Sequence, residues 1–410
     1  MPTCLIVTRA FPPKGGGGVQ RMIKFVTYLK GHGWKTKVIA PSNTNWSWRD
    51  ETPLEHIDKK TIIRIEDIQR STSLLQRVVR RVQPVDAFMP WAKSVVHQCG
   101  KIDLKPDVVL SSGPPHSVHH AGMKLAQQFR AKWVVDFRDH FTLGPEYRPT
   151  SFIHRQLDKN FERKLLDDAD ALICNTKTNR REMIREHGVQ YSKKLTTIYN
   201  GFDRLDLKFE ETHQFDPDKV NYIYLGGLRG SKIDDTYFSA LDHVRNTRPE
   251  LADRIRVHVV GDFSRKGSLV DELVETGIIK LHEPVPANQI GALIDSADAC
   301  LVWQRNRKGY KGTIAGKVFD YLAMKKPVFS IGQVGGEVER LIKRFGLGQN
   351  WSAALEPKEL AQHMIQFHQR LLAGEFEFDE LKNECLDRYS RQHQVTQLAR
   401  LFDSLTHQAS

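Results

Sequence analysis

The sequence has little cysteine and no long run of apolar residues. Its five cysteines, in 410 residues, are scattered and odd in number, and none forms a Cys-x-x-Cys pair or another metal-binding spacing. No stretch reaches the roughly 20 apolar residues that cross a bilayer. We therefore expect reduced thiols, no metal site and no membrane-spanning helix.

The sequence also lacks a basic segment followed by an apolar one at its N-terminus, because "MPTCLIVT" enters a strand directly. Export is therefore not expected, and we predict a cytoplasmic location. Positive charge, by contrast, is in excess, with a net charge of +12. This excess implies an acidic partner, for which nucleic acid, anionic lipid and phosphorylated small molecules all qualify. No zinc-finger spacing or run of aromatic residues typical of RNA-binding domains supports nucleic acid.

Short β-rich runs alternate with helical patterns along the chain, and a polar stretch at 208–219 divides them into two series. Many of the runs are almost continuously apolar, as in strands covered by helices on both faces. The predicted strands are 5–8, 36–40, 107–111, 133–137, 171–175, 195–199, 221–225, 256–260, 278–281, 299–303 and 327–331. Two such series predict an α/β protein with two facing, doubly wound domains, 1–203 and 204–389, and a terminal helix at 390–410 that packs back on the first domain.

Four glycines, Gly15 to Gly18, follow the first strand and precede a helix. Glycine permits positive φ and close approach of a ligand to the backbone, and the start of a helix favours an anion. The spacing does not fit the G-x-G-x-x-G dinucleotide motif. Gly16 and Gly17 are therefore candidate substrate contacts, and a flexible surface loop is the alternative.

A second candidate site lies in "KGTIAGKVFDYLAMKKPVFSIG", residues 311–332. Gly316, Lys317 and Val318 open a helix whose exposed amides, with the lysine, could bind a diphosphate. Asp320 lies one turn further on the same face, where a carboxylate could accept hydrogen bonds from a ribose. By spacing alone, a solvated Lys–Asp pair explains the pattern equally well.

This segment resembles the donor-binding segment of the GT-B glycosyltransferases, particularly the retaining enzymes of glycosyltransferase family 4. Further matches occur in order at "PPKGGGGVQR", "SSGPPHS", "VVDFRDHF", "ADALICNT" and "IYNGFD", so the resemblance covers nearly the whole chain. Many members carry two glutamates in the donor site. Here Asp320 takes the place of the second and Gly312 that of the first. The resemblance therefore leaves the identity of the donor sugar open.

The resemblance also assigns roles in the second domain. The basic residues of "YLGGLRGSK", Arg229 and Lys232, would clamp the diphosphate and stabilise the departing nucleotide without a metal or other cofactor. His282 and Glu283 would lie beside the nucleobase.

In the first domain, His116 follows a strand and could orient a donor hydroxyl or the acceptor. The next strand ends in "DFRDH", where Asp139 is the best acidic candidate for acceptor binding; an Arg–Asp ion pair that braces the site is the alternative. Arg21 could hold a phosphate.

Residues 73–91 combine an apolar side with Arg77, Arg80 and Arg81, and Phe88, Met89 and Trp91 follow. Such a segment could lie on an anionic membrane, or it could be a core-facing helix with a basic outer side.

Together these features predict a cytoplasmic enzyme, at the inner face of the membrane, that moves a sugar with retention from a nucleoside diphosphate sugar to a glycan or lipid-linked acceptor. Cell-surface polysaccharide or lipopolysaccharide synthesis is the expected setting. The alternatives are a GT-B nucleotide-sugar epimerase or hydrolase, and a non-catalytic protein that binds glycan or nucleic acid.

Overall fold

A computed structural model describes residues 1–42, 49–55, 57–67, 85–100, 102–209, 215–228, 232–263, 267–307, 309–378 and 383–407. The chain divides into two compact units. Unit 1 comprises residues 1–200 and 391–410, and unit 2 comprises residues 201–390.

Each unit contains one sheet in which every pair of neighbouring strands is parallel. The sheet of unit 1 has the order β3-β2-β1-β4-β5-β6-β7, and that of unit 2 has the order β10-β9-β8-β11-β12-β13. The strands of unit 1 are β1 (Thr3–Thr8), β2 (Lys35–Pro41), β3 (Ile62–Ile65), β4 (Val108–Gly113), β5 (Lys132–Phe137), β6 (Ala171–Cys174) and β7 (Leu195–Thr197). Those of unit 2 are β8 (Val220–Leu225), β9 (Ile255–Val260), β10 (Ile279–His282), β11 (Ala299–Trp303), β12 (Val328–Gly332) and β13 (Gly348–Ser352).

Helices connect the strands. In chain order, the described α-helices are α1 (Gly17–Leu29), α2 (Met89–Cys99), α3 (Val118–Phe129), α4 (Phe152–Asp168), α5 (Lys177–His187), α6 (Lys232–Thr247), α7 (Pro249–Ala252), α8 (Ser268–Glu275), α9 (Ile290–Asp295), α10 (Gly316–Ala323), α11 (Glu337–Phe345), α12 (Pro357–Leu372), α13 (Asn383–Asp387) and α14 (Arg391–Thr406). Short 3-10 helices occur at Lys30–His32, Thr52–Leu54, Lys59–Thr61, Val189–Tyr191, Ala287–Gln289 and Tyr310–Gly312. None of the described helices is both long enough and apolar enough to cross a membrane.

The near-continuous apolar character of the strands reflects burial on both faces of each sheet. In β1, Leu5 and Val7 belong to one core of unit 1, whereas Cys4 and Ile6 belong to the core on the opposite face. Helix α14, from the end of the chain, covers the second of these faces with Val395, Leu398 and Phe402. The doubly wound fold and the returning C-terminal helix, both predicted above, are thus present.

Polar residues fix where several helices begin. The Ser151 hydroxyl accepts a hydrogen bond from the backbone N–H of His154 at the start of α4. Thr176 caps α5 in the same way, through Asn179. At the start of α12, Glu356 and Glu359 form a reciprocal capping box. These caps satisfy amides that have no partner within the helix.

The five cysteines are free thiols, and four of them are buried. Burial raises the pKa of Cys99 to about 11. Buried neutral thiols of this kind are structural rather than reactive.

Candidate active site

In each sheet the strand order reverses at one point, between β1 and β4 in unit 1 and between β8 and β11 in unit 2. Open parallel sheets bind ligands at the carboxyl ends of the strands beside such a point. The glycine loop follows β1, the Gly-Pro-Pro segment follows β4, and Lys317 lies on the helix after β11. The topology therefore places the predicted motifs at the two positions where ligands are expected.

The glycine loop of unit 1 combines an open position with a crowded one. Gly16 has a φ of +99°, and a Cβ added there would meet nothing within 4 Å. At Gly18, a Cβ would lie 2.9 Å from Nη1 of Arg138. Glycine is thus favoured at Gly16 by its backbone conformation, and a side chain at Gly18 would require the Arg138 guanidinium to shift.

Arg138 joins three loops at this edge of the sheet. Its guanidinium donates to the carbonyls of Gly18 (2.7 Å), Gly113 (3.3 Å) and Pro114. The side chain is buried, and this burial lowers its pKa, while Asp139 and Asp136 act in the opposite direction. The sequence predicts at most an ion pair for Arg138, because nothing in its sequence neighbours indicates carbonyl partners.

An Arg–Asp ion pair does brace the sheet, but its arginine is Arg21 of α1. Arg21 is 1% exposed and makes two hydrogen bonds to the Asp136 carboxylate, at 2.8 and 3.0 Å. It also donates to the carbonyls of Ile198 and Tyr199. Phosphate contact by Arg21, as predicted, would require breaking this buried network, so the structure favours a bracing role.

His116 is buried in an aromatic cluster rather than presented to solvent. Its ring centroid lies 4.7 Å from that of Phe141 and 5.6 Å from that of His119. Burial, reinforced by His119, holds the pKa of His116 well below its usual value. Its Nδ1 atom is buried without a hydrogen-bond partner among the described residues. His116 is therefore neutral at pH 7, and a role as a neutral hydrogen-bonding group fits it better than one as a proton donor.

Asp139 lies next to Arg138 and is partly exposed. Burial raises the pKa of its carboxyl group, and Arg138 opposes that shift. Lys14, which directly precedes the four glycines, has a pKa lowered by burial and by the neighbouring Arg138 and Arg9. The carboxyl edge of this sheet therefore carries positive charge beside the partly exposed Asp139.

In unit 2, Lys317 is held at the end of β8. Its Nζ donates to the carbonyl of Leu225 at 2.9 Å and lies 3.5 Å from the centroid of the Tyr224 ring. Tyr224 in turn stacks on Trp303 at 3.9 Å. The backbone N–H of Leu225 donates to the Tyr321 hydroxyl at 3.1 Å. This aromatic support fixes the ammonium group beside the start of α10, where the helix amides also favour an anion.

The other residues predicted around Lys317 differ in accessibility. A Cβ at Gly316 would meet nothing within 4 Å, so the start of α10 faces open space. Asp320 is partly exposed one turn later. Val318, in contrast, has its side chain in the core and donates its backbone N–H to the carbonyl of Ala315 at 3.0 Å. Direct substrate contact by Val318 would require this turn to open.

The loop before α10 is fixed by a contact that the motifs did not indicate. Gln304 is buried after β11, and its Nε2 donates to the carbonyl of Thr313 at 2.7 Å. Gly312, at the place of the family's first glutamate, is buried at the end of a 3-10 helix.

The predicted nucleobase residues lie at the end of β10. His282 joins a chain of polar contacts: its Nε2 lies 2.9 Å from Nδ1 of His258, whose Nε2 lies 3.0 Å from the Asn221 amide oxygen. Phe215 stacks on His258 at 3.7 Å. Glu283 is exposed. His282 is thus positioned by its neighbours, which its sequence context did not reveal.

Two groups of predicted residues fall outside, or partly outside, the described residues. Arg229 is not described, and of Lys232 only the backbone is, at the start of α6. Arg77, Arg80 and Arg81 also lie outside. Within the same basic segment, Met89 and Trp91 are buried in the core of unit 1, so these two residues cannot face a membrane as expected.

Residues 15–204 match the family Glycosyltransferase Family 4. No curated protein matches the chain in sequence. Among solved structures, HepE (Alr3699) of Anabaena, in complex with UDP and glucose, has a TM-score of 0.65 and 16% identity, over 98% of this chain and 100% of that one. Sucrose-phosphate synthase of Thermosynechococcus elongatus has a TM-score of 0.68 and 14% identity, over 100% of both chains.

An epimerase has a similar fold. The UDP-GlcNAc 2-epimerase of Methanocaldococcus jannaschii has a TM-score of 0.60 and 13% identity, over 98% of this chain and 100% of that one. At such identities, these likenesses establish the fold only. They confirm the predicted GT-B fold for the chain, and the match over residues 15–204 confirms the predicted resemblance to glycosyltransferase family 4 within those residues.

Proposed function

We propose that the chain transfers a sugar from a nucleoside diphosphate sugar to a glycan or lipid-linked acceptor, with retention at the anomeric carbon. The setting would be the synthesis of a cell-surface polysaccharide or lipopolysaccharide. The proposal that unit 2 binds the donor rests on one observation. The Lys317 ammonium is held between the carbonyl of Leu225 and the ring of Tyr224 at the open start of α10. A diphosphate is the ligand that this combination of cation and helix amides suits.

Breaking the bond between sugar and diphosphate leaves the bonding electrons on a phosphate oxygen. Cations that meet this charge lower the barrier without a metal ion. Lys317 supplies one, and the predicted pair Arg229 and Lys232 follows β8 in the sequence. We accordingly propose that turnover needs no metal and is unchanged by EDTA.

The acceptor half of the proposal rests on unit 1. Asp139, a partly exposed acid, could accept a hydrogen bond from the attacking hydroxyl, and the positive charge around Lys14 and Arg138 would favour an acceptor that carries phosphate. A lipid-linked acceptor would place the enzyme on the inner face of the cytoplasmic membrane.

A panel of nucleoside diphosphates and their sugars, tested by thermal shift, measures the donor half directly. We expect one nucleotide to raise the melting temperature of the parent protein and to raise that of Lys317→Ala much less. Lys358→Ala is the matched control, because Lys358 is exposed in the same unit. Equal shifts in all three proteins would remove Lys317 from the donor site.

Epimerisation is the second candidate, because an epimerase of UDP-GlcNAc has a similar fold. The two reactions differ in what they release. A transferase liberates nucleoside diphosphate in proportion to added acceptor, whereas an epimerase converts the nucleotide sugar to its 2-epimer with no acceptor present. Accumulation of the 2-epimer without acceptor would therefore replace the transfer proposal.

A further inference from the structure

Helix α4 of unit 1 begins with large apolar side chains in solvent. Phe152 is 80% exposed, Ile153 is 62% exposed and Leu157 is 38% exposed. Ser151 caps the helix by accepting from the N–H of His154 at 3.0 Å, so the first turn is ordered and holds these side chains outward. Single exposed apolar residues are common, but a cluster of three on one helical end is not, and such clusters mark interaction sites.

The exposed face of α4 continues from apolar to basic residues. Ile153 and Leu157 are four residues apart and share a side of the helix. Arg163 and Lys164, further along, are exposed. Of the four acids of the helix, Asp158 and Glu162 are fully buried, whereas Asp167 and Asp168 are exposed in its last turn. Asp158 is bound by the Tyr147 hydroxyl, and Glu162 by Thr142. The first three turns of α4 thus bury their acids and expose apolar and basic side chains, and the exposed acids lie at the far end of the helix.

The exposed charged residues that precede the last turn of α4 are mostly basic. Between residues 146 and 164 the exposed charged residues are one acid, Glu146, and four bases, Arg148, Arg155, Arg163 and Lys164. Lys164 is paired with Asp168 at 2.9 Å, but no ion pair of Arg155 or Arg163 occurs among the described residues. An apolar cluster flanked by unpaired bases is complementary to the headgroups and outer acyl region of an anionic bilayer.

The position of this surface relative to the sheet is also suited to contact with a membrane. Helix α4 follows the loop after β5, so its first turn lies at the carboxyl edge of the unit 1 sheet. Gly16, His116 and Asp139 follow the ends of β1, β4 and β5 at that same edge. A membrane touching Phe152 would therefore lie on the side of unit 1 that carries the proposed acceptor residues.

We propose that Phe152, Ile153 and Leu157, with Arg148, Arg155 and Arg163, form a docking surface for an anionic lipid bilayer. The docking surface deepens the proposed function, and it rests on that function only in assuming a lipid-linked acceptor. A second copy of the chain is disfavoured as the occupant, because two such faces would bring like charges together. The apolar side chains insert between headgroups, and the arginines contact lipid phosphates.

Vesicle co-sedimentation of the full chain tests the surface. The vesicles contain phosphatidylcholine alone, or phosphatidylcholine with phosphatidylglycerol, at two salt concentrations. We expect the parent to bind the anionic vesicles, and the double variant Phe152→Ser/Ile153→Ser to bind at least about tenfold more weakly. For Arg155→Glu/Arg163→Glu we expect the affinity for anionic vesicles to fall roughly fivefold or more for each reversed charge. The binding of this variant should also depend less on salt than that of the parent.

Val189→Ser is the matched control, since Val189 is 75% exposed in the same unit but stands apart on a 3-10 helix. Its binding should equal that of the parent. Absence of parent binding, or equal binding by the double variant, overturns the proposal. A parent dimer that the double variant abolishes, without vesicle binding, would instead identify a second copy as the occupant.

A measurement of donor binding distinguishes a failure of this inference from a failure of the proposed function. Thermal shift with the preferred nucleotide should be the same in the parent and in the double variant, because these residues lie outside unit 2. Vesicle binding without any nucleotide binding would overturn the transfer proposal while leaving the surface intact.

Discussion

The ammonium group of Lys317 is fixed before any ligand arrives. Because Leu225 and Tyr224 hold it in place, a diphosphate would gain a charge-assisted hydrogen bond at little cost in side-chain entropy. Lys317→Ala should weaken donor binding by about 2 kcal/mol, which corresponds to a hydrogen bond to a charged group. Isothermal titration with the preferred nucleotide measures this loss, and unchanged affinity would contradict the assignment.

Asp320 can be tested by the chemistry of the ribose. Its partly exposed carboxylate lies one helical turn after Lys317, and Asp320→Asn should keep the fold while replacing an acceptor of two hydrogen bonds by a weaker one. We expect the variant to lose affinity for a ribonucleotide but very little for its 2′-deoxy counterpart. Equal losses for the two nucleotides would show that Asp320 does not bind the ribose.

At the scale of single residues, the sequence predicts which residues share one face of a helix. It does not predict which residues, distant in sequence, they contact. The Lys317–Asp320 spacing is visible because helical periodicity fixes it. Arg21 and Val318 lie in similarly suggestive motifs, yet the fold buries both. Their burial depends on Asp136 and on the unit 2 core, which are distant in sequence. A motif therefore identifies a position on an element more reliably than it identifies the direction of a side chain.

The glycine loop and helix α1 form the element that carries the predicted substrate contacts of unit 1. A Cβ at Gly16 meets no atom, but its φ of +99° disfavours any other residue. Gly16→Ala should therefore cost about 1 kcal/mol of stability through backbone strain alone. Gly17→Val should leave the melting temperature nearly unchanged and sharply reduce the rate of transfer, since we propose that the added side chain would occupy space needed by a substrate.

Comparison of these two variants distinguishes backbone strain from the filling of substrate space by a side chain. Melting of each protein without ligand, measured beside its turnover number, gives both quantities. A large fall in the melting temperature of Gly17→Val would indicate strain rather than occlusion. Parental melting and parental turnover in that variant would show that the loop does not line the active site.

At the scale of elements, most of the fold was predictable, because buried parallel strands are apolar runs that stand out in sequence. The two strands that the patterns missed are edge strands. β13 reads "GQNWS", and only Asn350 and Trp351 in it are buried; β3 has the four residues "IIRI". An edge strand has one strand neighbour and packs less apolar surface, so its sequence signal is weak.

For the whole molecule, the buried histidines of unit 1 predict a dependence of stability on pH. Burial lowers the pKa of His119 to about 3, and that of His116 well below its ordinary value. Below about pH 6.5 the unfolded chain binds protons that the folded chain does not. Stability is thus fully present above that pH, and each histidine removes up to about 1.4 kcal/mol per pH unit as the pH falls.

Denaturant unfolding at pH 7, 6 and 5, followed by hydrogen exchange in β4 and α3, measures this effect in unit 1. We expect His119→Gln to flatten the dependence, because glutamine cannot titrate in this range. A slope that is identical in the parent and in the variant would mean that other groups cause any acid sensitivity.

The chain leaves unit 1 at residue 200 and returns at residue 391, so the stability of unit 1 depends on residues from both ends of the sequence. One of the links is Trp34, whose ring centroid lies 5.1 Å from that of Phe402 and whose Nε1 donates to Asp403 at 3.0 Å. Phe402 is fully buried. Phe402→Ala should therefore destabilise unit 1 by about 3–5 kcal/mol, the cost of a cavity of that size.

Unit 2 has its own core, so the same substitution should leave nucleotide binding nearly unchanged. Hydrogen exchange of β1 and α1 reports on unit 1, and titration of the preferred nucleotide reports on unit 2. Arg400→Ala is the matched control, because Arg400 is exposed on the same helix. If Phe402→Ala left α1 as protected as in the control, α14 would not be part of the unit 1 core. If both units lost protection equally, they would unfold as one cooperative structure, and the independence of donor binding from unit 1 would be wrong.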